Sequence, residues 1–373
     1  MRRMLLVLAI VVTASPAPAQ PSRKTVMVIY AGPERHPANL MLDEAIEKTL
    51  AASPDARIDL LTEYLDIEGA QAAAAPATLR DYILSKYNGR RVDVVVAPSD
   101  VALRFVLDNR AQLFPDAAIV WSGVALPDEV MNDAALPITG VRVGAAYLET
   151  LKMALALHPS TTEVLVVAKT IDGMVTAPAL AAELAEVKDR VRLTYVAKSS
   201  VADVLDAVRS APVNSLVLYL WHQPSEWSNF IFPDTVAKLV ADASPVPVYG
   251  THEMYVGLGV VGGVVRLTSE TGARLGEMTR QILTGTAARS IPIENARLAA
   301  LFDWRQLQRW HVDRARVPAN AEVRFETPSL WEQYRNYIVA TVIIVAGQLA
   351  LIAALLVQHT HRRRAEKVIK ARE

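Results

Sequence analysis

Side chains able to hold a small ligand recur at one kind of place in this sequence, the few residues that close or follow an apolar run. Tyr30 leads into Glu34 and Arg35, Ala97 into Ser99 and Asp100, and Trp121 into Ser122 and Gly123. Lys169 leads into Thr170 and Asp172, Leu220 into Trp221 and His222, and Tyr249 into Thr251, with Tyr255 shortly after. Ser99 and Ser122 are small hydrogen-bond donors, and a helix beginning near Ser99 would offer free N–H groups to an anion. Trp221 and Tyr255 have flat faces on which an aromatic or apolar ligand can stack. Each residue also has a plainer use: Ser99 and Asp100 as helix caps, Trp221 as core, His222 as a surface histidine. Their common position at strand ends is what joins them into one candidate ligand-binding set.

The motifs that would turn such a set into a catalyst do not come together. Gly257–Leu258–Gly259–Val260–Val261–Gly262 matches the dinucleotide-binding spacing. That spacing has meaning only between a strand and the start of a helix. Here Gly263 and the strand-like Val264–Val265–Arg266–Leu267 follow, so the glycines read as a loop entering a strand. His252–Glu253–Met254–Tyr255–Val256 lacks the second histidine of a zinc-protease helix. The chain has no cysteine, hence no thiolate nucleophile and no disulfide. It carries no Walker A sequence, no G-x-S-x-G elbow and no kinase catalytic sequence. The expectation is a binding protein rather than an enzyme, with no metal and no cofactor.

The elements that must position the candidates alternate. Thr25–Tyr30, Arg57–Leu65, Val92–Ala97 and Ala118–Val124 are apolar runs, and continuous runs of this kind suit strands buried on both faces of a parallel sheet. Between them lie helical spacings such as Leu42, Ile46 and Leu50. The pattern then restarts, with strands at Ile138–Val143, Glu163–Lys169, Arg192–Ala197, Ser215–Trp221 and Val246–Tyr249. Val201, Val204, Leu205 and Val208 form a helical stripe in this half. The predicted fold class is α/β, with two doubly wound parallel-sheet lobes forming a clamshell, plus a C-terminal transmembrane helix. Lobe 1 is expected over residues 22–143 and lobe 2 over 144–263. Residues 264–328 are expected to return to lobe 1, through Val260–Leu267, a helix through Leu275, Met278 and Ile282, and a strand near Ala296–Phe302, and then to form a linker.

The two ends of the chain agree on its location. Met1–Arg2–Arg3, an apolar run from Met4 to Val12 and the ending Ala17–Pro18–Ala19 read as a secretory signal peptide over residues 1–19. Near the other end, Tyr337–Val357 is uncharged, and its length gives roughly 31 Å of helix, about one hydrocarbon core. Arg362, Arg363, Arg364, Lys367, Lys370 and Arg372 follow it, and the positive-inside rule puts that side in the cytoplasm. Residues 329–358 are thus read as the membrane-proximal and transmembrane helix and 359–373 as a cytoplasmic basic tail. The expected location is a bacterial inner membrane, single-pass, with the main domain periplasmic. Lys+Arg and Asp+Glu balance at 39 each, so no basic excess argues for nucleic acid.

Four stretches carry a resemblance: Ala31 to Asn39 (AGPERHPAN), Pro247 to Gly263 (PVYGTHEMYVGLGVVGG), Phe302 to Leu307 (FDWRQL), and the tail from Ser329 through the apolar helix to Glu366. Together with the two-lobed pattern they resemble the ABC-transporter substrate-binding proteins of the type I periplasmic-binding fold. More narrowly, they are similar to the variant that forms the periplasmic sensor half of membrane-bound histidine kinases. The resemblance covers essentially the whole mature chain, and the tail is its most specific part. The chain departs from kinase members in stopping at Glu373, without dimerisation and ATP-binding domains. The resemblance implies a membrane-tethered sensory input module that closes on a small molecule, of the amino acid or aromatic acid class, and signals across the membrane. The alternative it implies is a tethered component delivering solute to an ABC permease. The implied partners are a histidine kinase, an ABC permease or a second copy of the chain.

Overall fold

The computed structural model describes residues 23–52, 57–66, 76–144, 146–169, 177–198, 200–222, 231–326 and 330–370. They fall into two units, one ending at Arg324 and the other starting at Phe325. The signal-peptide expectation, residues 1–19, lies outside the described residues.

The strands of the first unit, in chain order, are β1 (Lys24–Tyr30), β2 (Ile58–Tyr64), β3 (Val94–Ala97), β4 (Ala118–Gly123), β5 (Ile138–Arg142), β6 (Glu163–Lys169) and β7 (Arg192–Val196). They continue with β8 (Ser215–His222), β9 (Val248–Gly250), β10 (Gly262–Arg266), β11 (Glu294–Asn295), β12 (Leu298–Asp303) and β13 (Glu322–Arg324). Its helices are α1 (Pro37–Ala51), α2 (Pro76–Lys86), α3 (Asp100–Asp108), α4 (Arg110–Leu113), α5 (Asp128–Asn132) and α6 (Tyr147–Leu157). Then come α7 (Ala177–Glu183), α8 (Val201–Arg209), α9 (Pro233–Ala243), α10 (Thr268–Leu283) and α11 (Trp304–Arg309).

Two sheets result. One has the order β11-β5-β4-β3-β1-β2, the other β13-β12-β10-β9-β8-β6-β7. Every pairing is parallel except β10 with β12. Within each sheet the first strand in sequence, β1 or β6, sits between the second and the third. Both sheets therefore reverse direction of build at their first strand, which is where open α/β sheets leave a crevice for ligands.

The apolar runs form these sheets because both faces must be covered. On β1, Val26, Val28 and Tyr30 enter one core with Leu42, Ile46, Leu275 and Met278 from α1 and α10. Met27 and Ile29 enter the opposite core with Ile83, Leu103, Phe105 and Val106 from α2 and α3. Alternation with a period of two sends successive side chains to opposite faces, so a strand covered on both sides reads as continuous apolar sequence. The second sheet repeats this, with Leu151 and Leu155 of α6 on one face. Val204 and Val208 of α8, with Val236 and Val240 of α9, cover the other. Each such side chain contributes roughly 1.5–3 kcal/mol when removed from water.

The return to lobe 1 is narrower than the sequence reading. The stretch from α10 to β11 goes back: α10 packs on α1, Ala288 and Ile291 join the core they share, and β11 pairs with β5. The segments Val260–Leu267 and Ala296–Phe302 were expected in lobe 1, but they supply β10 and β12, which pair with each other and extend the second sheet. The physical reason is edge pairing: β9 leaves an open edge that β10 joins in parallel, and β12 then adds antiparallel through a register from Gly262–Phe302 to Arg266–Leu298. The chain thus passes between lobes after β5, after β10 and between β11 and β12. Gly272 and Gly276 explain the tight α1–α10 contact. A Cβ at Gly272 would lie 2.8 Å from the Leu42 carbonyl oxygen, and one at Gly276 2.8 Å from Thr49 Cβ.

The second unit is a helix, α12 (Leu330–Lys370). Within it Tyr334–His359 is long and apolar enough to cross a membrane, and the apolar window is unburied.

Candidate functional site

The site grows from the loop that follows β1. His36 caps α1, its Nδ1 accepting from Ala38 N at 3.2 Å, and Pro37 opens the helix with a backbone nitrogen that has no proton to leave unpaired. Asn39 Nδ2 donates to the Pro33 carbonyl at 2.9 Å and braces the turn. This fixes the His36 imidazole against two rings of lobe 2. It stacks on Trp221 with centroids 5.8 Å apart and planes 22° apart, and meets Phe232 edge-on at 5.7 Å.

From Trp221 the ring contacts continue inward. Trp221 lies 5.5 Å from His252, His252 lies 5.2 Å from Tyr255, and Tyr255 meets Tyr219 edge-on at 5.1 Å. Trp221 is the last but one residue of β8, and His252 follows β9, so both stand at the carboxyl edge of the second sheet. His36 stands after the carboxyl end of β1 in the first. The row of rings therefore crosses the crevice where both sheets reverse.

Electrostatics favour neutral rings here. Burial pushes the His36 imidazole down to about 4, so at neutral pH it is uncharged. His252 is held well below its ordinary value, first by burial and then by the charges of Arg266 and His36. Arg266, the last residue of β10, is half-buried, and its backbone N–H donates to Thr251 O at 3.1 Å. Burial lowers its pKa, and its charge acts on Tyr147 at the start of α6 and on Tyr255.

One residue beyond His252, Glu253 is almost fully buried. Its carboxylate accepts from Ser269 N at 3.1 Å in the first turn of α10, from Ser269 Oγ at 3.0 Å, and from Arg324 Nη2 at 2.8 Å. A carboxylate at a helix start is favoured by the free N–H groups there. Arg324 is the final residue of the first unit, so a short path of contacts joins the crevice to the place where the chain leaves.

The sequence-derived candidates distribute as follows. Trp221 lies in the ring row. Thr251 lies beside it, buried, with Oγ1 3.1 Å from His252 Nδ1. Tyr255 lies beneath His252, fully buried, its hydroxyl donating to Leu220 O at 3.2 Å. His222 is buried on the far side of β8, with Nε2 3.0 Å from Lys198 O. Ser99 caps α3, accepting from Ala102 N at 3.0 Å. The Asp100 carboxylate accepts from Trp121 Nε1 at 3.1 Å and from Val124 N at 2.9 Å. It lies over Gly123, where a Cβ would come within 1.9 Å of it. Ser122 is buried in β4. These four are engaged inside lobe 1. Glu34 and Arg35 are exposed in the turn before His36. Thr170 and Asp172 lie outside the described residues.

Four residues of the site were not chosen from sequence: His36, Phe232, His252 and Arg266. His36 and His252 follow strand ends, the very signal used for the others. Arg266 carried one too, as a charge closing an apolar strand. Phe232 had none. A separate groove of about 790 Å³ runs along α1 and α10, past Met41, Lys48, Ser269 and Glu277. Two of the charges along it are paired on the protein, Arg280 with Glu277 and Arg297 with Glu270, each at 2.7 Å, and the groove lies away from the strand ends, so the crevice has the stronger claim as a ligand site.

Solved structures share this fold. An ABC domain from Streptococcus pneumonia in complex with L-Trp matches with a TM-score of 0.58 and 16% identity, over 81% of this chain and 100% of that one. A conserved domain protein from Vibrio cholerae matches with a TM-score of 0.59 and 16% identity, over 81% and 99%. A ligand-free, open substrate binding protein with adhesive properties from Clostridium difficile matches with a TM-score of 0.54 and 14% identity, over 80% and 98%. No protein-family model and no curated protein matches the chain. Two parallel-sheet lobes, three passages between them and these counterparts give the chain the fold of the type I periplasmic binding proteins.

Proposed function

We propose that this chain is a membrane-tethered solute-binding protein acting as a sensory input module. Its lobes close on a small molecule at the ring row, and closure is passed through the segment after Arg324 to the membrane helix. The observation that carries the proposal is the contact of His36 with Trp221, one residue from each lobe, where both sheets reverse. A ligand that touches both lobes prefers the closed state, and it can shift the equilibrium only by that difference in affinity. The Glu253–Arg324 contact supports the second half of the reading, because it ties the crevice loop to the residue that precedes the linker. The apolar span Tyr334–His359 supports the tether, and the basic residues after it favour a cytoplasmic C-terminus and a periplasmic main domain. On this reading the partner is a kinase or another signalling chain.

A second reading, delivery of solute to an ABC permease, draws on the ABC label of the Streptococcus neighbour. The test uses the full-length chain in lipid nanodiscs, spin-labelled at residue 330. A solute that raises the thermal midpoint should also change the distance between labels on two copies. A solute that stabilises the protein and leaves that distance unchanged favours delivery.

A further inference from the structure

Arg266 is the described arginine drawn into the protein with neither a carboxylate nor a carbonyl on its guanidinium. The other arginines between Arg23 and Arg335 without such partners are exposed. Two carboxylates of neighbouring elements are engaged elsewhere. Glu183 turns to the first turn of α6, where Leu148 N donates to it at 3.4 Å, and Glu253 holds Ser269 and Arg324. The two helix starts that flank Arg266, those of α6 and α10, are thus each satisfied by a carboxylate of the protein. What remains at the hinge side of the crevice, among the described residues, is the Arg266 guanidinium, half withdrawn from water. A charge drawn part-way out of water without a counter-charge carries part of the burial cost, so the site suits an anion that arrives from outside.

Its geometry selects the kind of anion. One guanidinium, with both neighbouring helix starts taken, balances one negative charge, and its planar fork matches a carboxylate with two parallel hydrogen bonds. A doubly charged phosphate would be left short of donors. Trp221 is the last but one residue of β8, His252 follows β9 and Arg266 closes β10, three neighbouring strands. At about 4.8 Å per strand, the Trp221 and Arg266 backbones stand about 10 Å apart. A ring on Trp221 and a carboxylate reached by the long Arg266 side chain are then separated by a short aliphatic bridge. The His36 and Trp221 ring centroids, 5.8 Å apart, leave no room for a third ring between them, so a ligand ring takes the place that His36 occupies.

Resting on the solute-binding reading above, we propose that the crevice takes an aryl-substituted monocarboxylate. Its ring lies on Trp221 in the place His36 now occupies, the loop after β1 covers that ring from lobe 1, and its carboxylate is held by Arg266.

The test is calorimetric titration of the full-length chain in nanodiscs with phenylacetate, 3-phenylpropionate, indole-3-acetate and L-phenylalanine. The primary amide of each acid and a panel of neutral sugars serve as comparisons. At least one acid should bind, with its amide about 10-fold or more weaker. Arg266→Met should weaken the acid about 10- to 100-fold, as expected for a lost hydrogen-bonded charge, and should remove most of the gap between acid and amide. Arg266→Lys should recover part of the loss, which separates charge from folding, and the midpoint of each variant without ligand reports folding directly. Equal binding of acid and amide, an Arg266→Met variant that binds the acid like the parent, or no binding by any acid overturns the proposal. If sugars bind and acids do not, this proposal falls and the solute-binding reading stands. If neither class binds, both fall.

Discussion

Acid should open the lobes at His36. Three features of the structure disfavour a proton on this ring. The imidazole is buried between Trp221 and Phe232, its Nδ1 must accept from Ala38 N, and it sits at the positive end of α1. Closed, the group titrates at about 4, against 6.5 in water. The neutral form is the one the closed state holds, so the contact is fully present above about pH 6.5 and is lost as pH falls toward 4. Over that whole window the linkage amounts to ~3 kcal/mol. At pH 5 it is about 2 kcal/mol, or roughly a 30-fold shift toward the open state, since the open ring is almost all protonated there and the closed ring hardly at all. Attraction of an imidazolium to the Trp221 face returns about 0.5–1 kcal/mol and does not reverse the sign. Because the chain has no cysteine, labels can be placed at Asp108→Cys in lobe 1 and Val213→Cys in lobe 2, and their separation followed by pulsed EPR. The distance should lengthen between pH 7 and pH 5. His36→Asn keeps a capping acceptor and cannot titrate, so it should lose most of the response. No lengthening in the parent, or equal lengthening in His36→Asn, would refute the reasoning.

Other expectations concern packing, a structural carboxylate and topology. Gly272→Ala puts a methyl group 2.8 Å from the Leu42 carbonyl oxygen, so the helices must part, and chemical denaturation should register a loss of about 1–3 kcal/mol. Asp100→Ala strands the buried Trp121 indole N–H and the Val124 N–H. It should cost about 1–3 kcal/mol in the same assay while leaving solute affinity unchanged; a selective loss of affinity would return Asp100 to the ligand site. Reporter fusions should place residue 320 outside the cytoplasm and residue 370 inside, and a cytoplasmic signal at 320 would remove the basis for a periplasmic crevice.

Strands and lobes were legible in the sequence because burial on both faces leaves an unmistakable mark. TVMVIY and SLVLYLW can hardly be anything else once turns bound them. Sheet membership was not. β10 and β12 look alike from sequence whichever lobe they join, and only the open edge beyond β9 decides it. The site was half legible for a related reason. Strand ends could be located, but Ser99, Asp100, His222 and Trp221 all satisfied that rule equally. What separates them is where each side chain finds its partner. Ser99 and Asp100 find theirs within lobe 1, His222 on the far side of β8, and Trp221 in the opposite lobe. The one-residue step from Trp221 to His222 moves a side chain across the sheet, and no composition or spacing reports which of the two faces the crevice.

The passage of α10 back to α1 bears on the order in which the molecule can fold. The apolar face of α1, Leu42, Ile46 and Leu50, is completed by Leu275 and Met278, which are made only after nearly all of lobe 2. Closing a loop of that length costs on the order of 5 kcal/mol in chain entropy before any contact rewards it. A growing chain therefore holds lobe 1 with one side of its sheet uncovered until α10 arrives, while lobe 2 in turn awaits β12 and β13. Neither lobe has a rate of its own: both can finish only once α10 to β13 have been made, as one cooperative event. A piece containing only residues 23–143 should stay collapsed and sticky rather than folded, and slow folding should follow from damage to α10 more than from equal damage to α8, whose partners α9 and β8 are close in sequence.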